Sequence, residues 1–291
     1  MIESPVRFGN REYLTGIVTT PPAGLARDAG LVILNAGLVH RVGPNRVGVE
    51  VARKAAGAGF VALRFDLSNL GDSRARADSL PVEASAVAEV RLAMDELART
   101  HGLDRFVVFG ICSGAEHALR AGLEDSRVVG AVLVDGYAYR TPAYYLRYYG
   151  PRLFRRAAWR RLLFEKSPLA RWLRRFGSDQ DGNGHLTAQP PKRRFPPRAR
   201  FRETLATLTT RGVELLVVYT GEGMADQYNY DGQFFEAFPE FRDRPVEVVF
   251  LAATDHLFSR QRSRAALAGA VERWADRFAW REAPERVSVT I

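Results

Sequence analysis

The sequence predicts an α/β chain built on a doubly wound, mostly parallel sheet. Three observations carry that reading. Short unbroken apolar runs recur at 31–34, 106–109 and 128–134, as required of strands covered on both faces. Stretches with helical spacing alternate with them. Glycine, proline and asparagine clusters punctuate the joints. Strand and helix in strict alternation imply right-handed crossovers and parallel neighbours.

Taken in order, residues 12–20 alternate enough to open as a strand, and Pro21-Pro22-Ala23-Gly24 breaks it. Residues 31–34 form the next strand, ending in Asn35-Ala36-Gly37. Residues 46–57 place Val47, Val51 and Ala55 on one helical face, and 60–65 is again a strand. A loop follows at 66–73, containing Gly71-Asp72-Ser73. Pro81 opens a helix to about His101, with Val87, Val90, Met94 and Leu97 on its apolar side. Strand 105–109, helix 113–123 and strand 128–134 continue the series. After an insertion come a helix at 201–211, strands at 213–219 and 246–250, and a closing helix at 263–280.

The chain has 291 residues, 46% of them hydrophobic, enough for one large core and no reason to expect a second fold. The core is expected at 1–136 and 205–291, with an insertion at 137–204 whose Gly-, Asn- and Pro-rich part, 177–197, reads as mobile. No apolar stretch approaches a membrane span, and the first residues lack the layout of a signal peptide, so a cytoplasmic protein is expected. The net charge is +9, but it is local: residues 140–202 hold 17 Lys/Arg against 3 acids, a net of +14, and the remainder is at −5. A basic insertion in a mildly acidic body suits an anionic partner more than nucleic acid, for which no recognition fold is present.

One cysteine, Cys112, excludes an internal disulfide and a multi-thiolate metal site. Its setting is a strand, a tight turn and a helix start, Phe109-Gly110-Ile111-Cys112-Ser113-Gly114-Ala115. Small residues two positions either side let a strained turn lift the central side chain above the sheet. The helix N-terminus favours a thiolate there. A thiol nucleophile calls for a nearby base, and His256, in the loop after the last strand, is the candidate. His101 and His117 fall on helices and His185 in the insertion. The acid that orients the imidazole is expected at Asp226, past strand 213–219; Glu222 could reach, and Asp135, at the end of strand 128–134, is the alternative station. Backbone N–H groups of Ser113 and Leu38 are the candidate oxyanion donors. His40 and Arg41 are candidate substrate contacts.

These motifs resemble the α/β-hydrolase superfamily. In particular, Asn35-Ala36-Gly37-Leu38-Val39-His40-Arg41-Val42-Gly43-Pro44-Asn45-Arg46, Leu63-Arg64-Phe65-Asp66 with Gly71-Asp72-Ser73, and the Gly110-x-Cys112-x-Gly114 turn resemble bacterial exosortase-A-system-associated hydrolases. The likeness covers roughly residues 30–140, and the His256 segment fits the same layout. It implies an α/β-hydrolase fold with acyl-hydrolase or acyltransferase activity. Relatives tend to carry an aspartate just after the glycine where this chain has Gly221-Glu222-Gly223. The turn is also similar to those of polyhydroxyalkanoate synthases and dienelactone hydrolases.

The insertion interleaves Tyr144, Tyr145, Tyr148, Tyr149, Trp159 and Trp172 with arginines and sits where this fold carries its lid. A helical lid with an apolar face and outward arginines suits an acyl group carried on coenzyme A or an acidic carrier protein, or a peripheral contact with anionic lipid. The sequence therefore points to acyl transfer through a thioester on Cys112, with a plain ester or lactone hydrolase and a non-catalytic binding protein as alternatives. No cofactor is expected, because no metal cluster or nucleotide fingerprint is present and Gly57-Ala58-Gly59 precedes a strand, not a helix. The oligomeric state is left open.

Overall fold

A computed structural model describes residues 1–153 and 195–281. Eight strands form one sheet in the order β1-β2-β4-β3-β5-β6-β7-β8. They are β1 (Ile2–Phe8), β2 (Leu14–Thr20), β3 (Ala29–Ile33), β4 (Val61–Phe65), β5 (Arg105–Ile111), β6 (Val128–Val134), β7 (Glu214–Thr220) and β8 (Val246–Leu251). β1 and β2 run antiparallel, and β4, β3 and β5 to β8 are parallel to one another. The helices are α1 (Val47–Gly57), α2 (Val82–His101), α3 (Ser113–Glu124), α4 (Pro142–Leu153), α5 (Arg198–Thr210), α6 (Gln233–Ala237) and α7 (Gln261–Trp274).

Alternate residues of each central strand enter two separate cores. Phe106 and Val108 of β5 join Met94, Leu97, Leu119, Leu205 and Leu208 from α2, α3 and α5 on one face. Val107, Phe109 and Ile111 join Val51, Ala55, Leu267 and Trp274 from α1 and α7 on the other. Burial on both faces is why these strands read as unbroken apolar runs.

Some elements differ from expectation. β1 was not anticipated: its residues are mostly exposed and include Glu3, Pro5 and Arg7, a composition tolerated only at a sheet edge, where a missing N–H and charges do no harm. α5 begins at Arg198, and Phe201 and Leu205 are buried in the core. The closing helix ends at Trp274, followed by a short 3-10 turn at Ala275–Arg277. Of the expected lid, α4 is described; Trp159, Trp172 and His185, and residues 177–194 of the expected mobile loop, lie outside the described residues. The two sides of the insertion meet at its base, where Tyr139 Oη–H donates to the Pro196 carbonyl at 2.9 Å and the Tyr137 ring meets Phe195 edge-on. Among the described residues no helix is long and apolar enough to cross a membrane.

Candidate active site

The turn between β5 and α3 is strained at its centre. Cys112 adopts φ 58°, ψ −116°, a region a residue with a Cβ enters only when its surroundings enforce it. The enforcement is steric. A Cβ at Gly110 would lie 2.1 Å from the backbone of Gly114, and one at Gly114 would lie 2.6 Å from the Asn35 carbonyl. Both positions must be glycine for strand, turn and helix to close this tightly. Cys112 is partly exposed and stands at the N-terminus of α3, where helix N–H groups lack intrahelical partners and favour negative charge.

His256 comes from the loop after β8. Its Nδ1–H donates to Asp135 Oδ2 at 2.7 Å, and its ring is hydrogen-bonded to Cys112 as well. Asp135 is fully buried at the C-terminal end of β6 and also accepts the Thr220 N–H at 2.8 Å and the Thr220 hydroxyl at 2.7 Å. Three hydrogen bonds satisfy a carboxylate that water cannot reach. The bonds to Asp135 and then Cys112 push His256 up to about 10, against the opposing effect of burial.

The structure thus brings together Cys112, His256 and Asp135, and not Asp226. Asp226 is exposed, six residues past the end of β7, with its carboxylate beside the Gln227 amide, while its carbonyl receives the Tyr144 hydroxyl and Arg140 Nε. Glu222 pairs with Arg260 at 2.7 Å instead. The Gly221-Glu222-Gly223 sequence has a different use. A Cβ on Gly221 would lie 2.3 Å from the Ala252 carbonyl, and one on Gly223 would lie 2.6 Å from the His256 nitrogen. The two glycines let the loop after β7 press directly against the segment that carries the histidine.

At the opposite side of Cys112, it is Gly37, one residue before Leu38, that contacts the turn: its N–H donates to Ser113 Oγ at 3.1 Å. The Leu38 side chain is 88% exposed. His40 is exposed and turned back on its own backbone, accepting the Val42 N–H. Arg41, expected to face substrate, has its guanidinium held by Asp66 and Asp72. His101 and His117 are half-buried on α2 and α3, and burial lowers the pKa of both. A groove of about 590 Å³ runs along α3, lined by Leu119, Leu123, Tyr137 and Phe201 together with Glu116, Arg120 and Arg200.

A mostly parallel sheet that suspends a strained cysteine turn, a histidine loop and a buried aspartate from its C-terminal edge is the architecture of an α/β hydrolase. The chain belongs to the alpha/beta hydrolase family, whose model matches residues 31–291. No curated protein matches the sequence. Among solved structures the chain is similar to an esterase of Pyrococcus furiosus (TM-score 0.58, 15% identity, covering 95% of this chain and 91% of that one). It is also similar to the esterase domain of a Rhodothermus marinus protein (0.55, 17%, 95% and 99%) and to a dienelactone hydrolase of Anabaena variabilis (0.56, 17%, 95% and 98%). At these identities the likeness is one of fold.

Proposed function

We propose that the chain catalyses acyl transfer through a thioester acyl-enzyme on Cys112, from an ester or thioester donor to water or another acceptor. The observation that carries this reading is the hydrogen-bonded series Asp135–His256–Cys112. Asp135 holds the His256 ring with Nε2 toward the sulfur and stabilises the imidazolium. The Cys112 thiolate attacks the acyl carbonyl carbon, forming an S–C bond while the carbonyl π pair moves onto oxygen. The backbone N–H groups of Ser113 and Leu38 receive that oxyanion. Collapse expels the alcohol or thiol leaving group, which takes its proton from His256. Neutral His256 then removes a proton from water or the acceptor, and a second collapse returns the thiolate.

A thioester intermediate is readily attacked by amines as well as water, which supports transfer beside hydrolysis. The apolar wall of the groove along α3 supports an acyl chain, and the basic composition of 140–202 supports a donor carried on an anionic group such as coenzyme A or an acidic carrier protein, or a contact with anionic lipid. The esterases among the structural neighbours favour, as a second reading, a plain carboxylic ester hydrolase using the same residues.

Intact-protein mass spectrometry after incubation with acyl thioesters and activated esters tests the proposal. The expected result is an acyl adduct in the native chain that is absent in Cys112→Ala and strongly slowed in His256→Ala. Turnover of the same donors that persists in Cys112→Ala refutes it. Decay of the adduct in water against decay with added amines separates hydrolase from transferase.

A further inference from the structure

The loop from Asn35 to Arg41, which faces Cys112 from the β3 side, has no regular secondary structure between those residues. Beside one internal turn bond, Val39 N–H to the Ala36 carbonyl at 3.1 Å, its conformation is fixed from below by one carboxylate. Asp66, at the end of β4 and fully buried, binds both ends of the loop at once. At the near end, Asn35 Nδ2–H donates to Asp66 Oδ1 at 3.1 Å, while the same amide donates to the Val39 carbonyl at 2.9 Å and accepts the Leu67 N–H at 2.8 Å. At the far end, the Arg41 N–H donates to Asp66 Oδ1 at 2.5 Å and its guanidinium bridges Asp66 Oδ2 and Asp72 Oδ2. The Asp72 N–H closes the ring onto Asp66 Oδ2 at 3.1 Å. Gly71 leaves the space: a Cβ there would lie 2.2 Å from that oxygen. The top of the loop is tied to the turn by the Gly37 to Ser113 hydrogen bond.

We infer that the Asn35–Asp66–Arg41–Asp72 clasp is a positioning device that sets the backbone N–H of Leu38, next to the Gly37 N–H that is held by Ser113 Oγ, against the developing oxyanion, with Asp66 as its keystone. None of its side chains touches the reacting atoms. The inference rests on the acyl-transfer reading, and it reassigns Arg41 from substrate contact to positioning residue. The reasoning is geometric. Donors to an oxyanion act only if held in place before charge develops, and a displacement of about 1 Å can cost about 100-fold in rate. A loop without its own hydrogen-bond ladder depends on such an anchor.

Because Cys112 is the only cysteine, two reactions at the same sulfur separate the clasp from the nucleophile. Alkylation by iodoacetamide displaces iodide from a saturated carbon and develops no oxyanion, whereas turnover of a chromogenic acyl ester does. Asp66→Asn is expected to lower kcat for the ester by about 10- to 100-fold while leaving KM within about threefold and the alkylation rate within about twofold. Affinity for a trifluoromethyl ketone, which forms a tetrahedral oxyanion adduct on the thiolate, should fall in parallel with kcat/KM. Arg41→Lys, which keeps the charge but replaces the planar fork whose two nitrogens reach Asp66 and Asp72 with one ammonium on a shorter stem, should show a milder split of the same kind and decides the matter if Asp66→Asn does not fold. Equal losses in alkylation and ester turnover, or unchanged ketone affinity, overturn the inference. Failure of the acyl-transfer reading looks different: ester turnover in the native chain that does not depend on Cys112.

Discussion

Replacing Asp135 by Asn removes the charge beside His256 and keeps the shape of the side chain. In the native chain Asp135 accepts three hydrogen bonds, from the Thr220 N–H, the Thr220 hydroxyl and His256 Nδ1–H. An asparagine can keep the first through its carbonyl, but its NH2 group then faces His256. The ring must present Nδ1 as acceptor and carry its proton on Nε2, toward Cys112, where it can no longer accept the thiol proton. The largest influence raising His256 to about 10 is lost at the same time. For a serine nucleophile such a change costs about 10⁴ in kcat; a thiol, being more acidic, depends less on its base, so about 10² to 10³ is expected, or about 3 to 4 kcal/mol of transition-state stabilisation. Steady-state ester hydrolysis beside iodoacetamide alkylation between pH 5 and pH 10 measures it, and both should fall in the variant near neutrality. Asp226→Asn is the control and should stay within about twofold of the native rate. If Asp226→Asn is the crippled variant and Asp135→Asn is not, the assignment of the acid from geometry is refuted.

The raised pKa of His256 has a sign that stability can report. Its folded value, about 10, lies above the ordinary 6.5, so its contribution is fully present below about pH 6.5 and is lost as pH rises through about 10. The difference in Tm between the native chain and His256→Gln should shrink across that window; a constant difference contradicts the ion-paired state. Gly223→Ala places a Cβ within 2.7 Å of both the His256 nitrogen and its Cβ, so the histidine loop must move away. The nearest clash, at 2.5 Å, is with the hydroxyl of buried Thr220, which Asp135 also accepts, so the expected outcome is a loss of about 10- to 100-fold in kcat together with a Tm lowered by several degrees. Native turnover in that variant contradicts the close approach.

The legible parts of the molecule were those whose signal is local. β3, β5, β6 and β7 announce themselves as apolar runs because each is buried on both faces, and Gly110 and Gly114 announce the turn because nothing larger fits. His256 was singled out from its station after the last strand, and the structure places it against Asp135. The acid was not settled, because the meeting of Asp135 and Thr220 depends on β6 and β7 lying side by side, and nothing in the spacing of 135, 220 and 256 encodes that adjacency. One usable signal was present: Asp135 directly follows seven apolar or small residues, so it had to be buried and partnered. The partners of Arg41 could not be read for the opposite reason. Its partners Asp66 and Asp72 lie in a motif that had been recognised, but a motif names its members without saying which of them touch each other. β1 escaped notice because an edge strand needs neither an apolar run nor a regular alternation.

The hydrogen bond from Tyr139 to Pro196 gives the insertion a closed neck. A segment whose ends are already pinned together adds conformational cost only logarithmically as it lengthens. The part of the chain between α4 and Phe195 can therefore be shortened, extended or exchanged with little effect on the sheet beneath, whereas α4 itself is anchored by Tyr144, buried and bonded to the Asp226 carbonyl. The arrangement around Cys112 and Asp135 is in that sense tied to strand order, while the length of the insertion is free to drift.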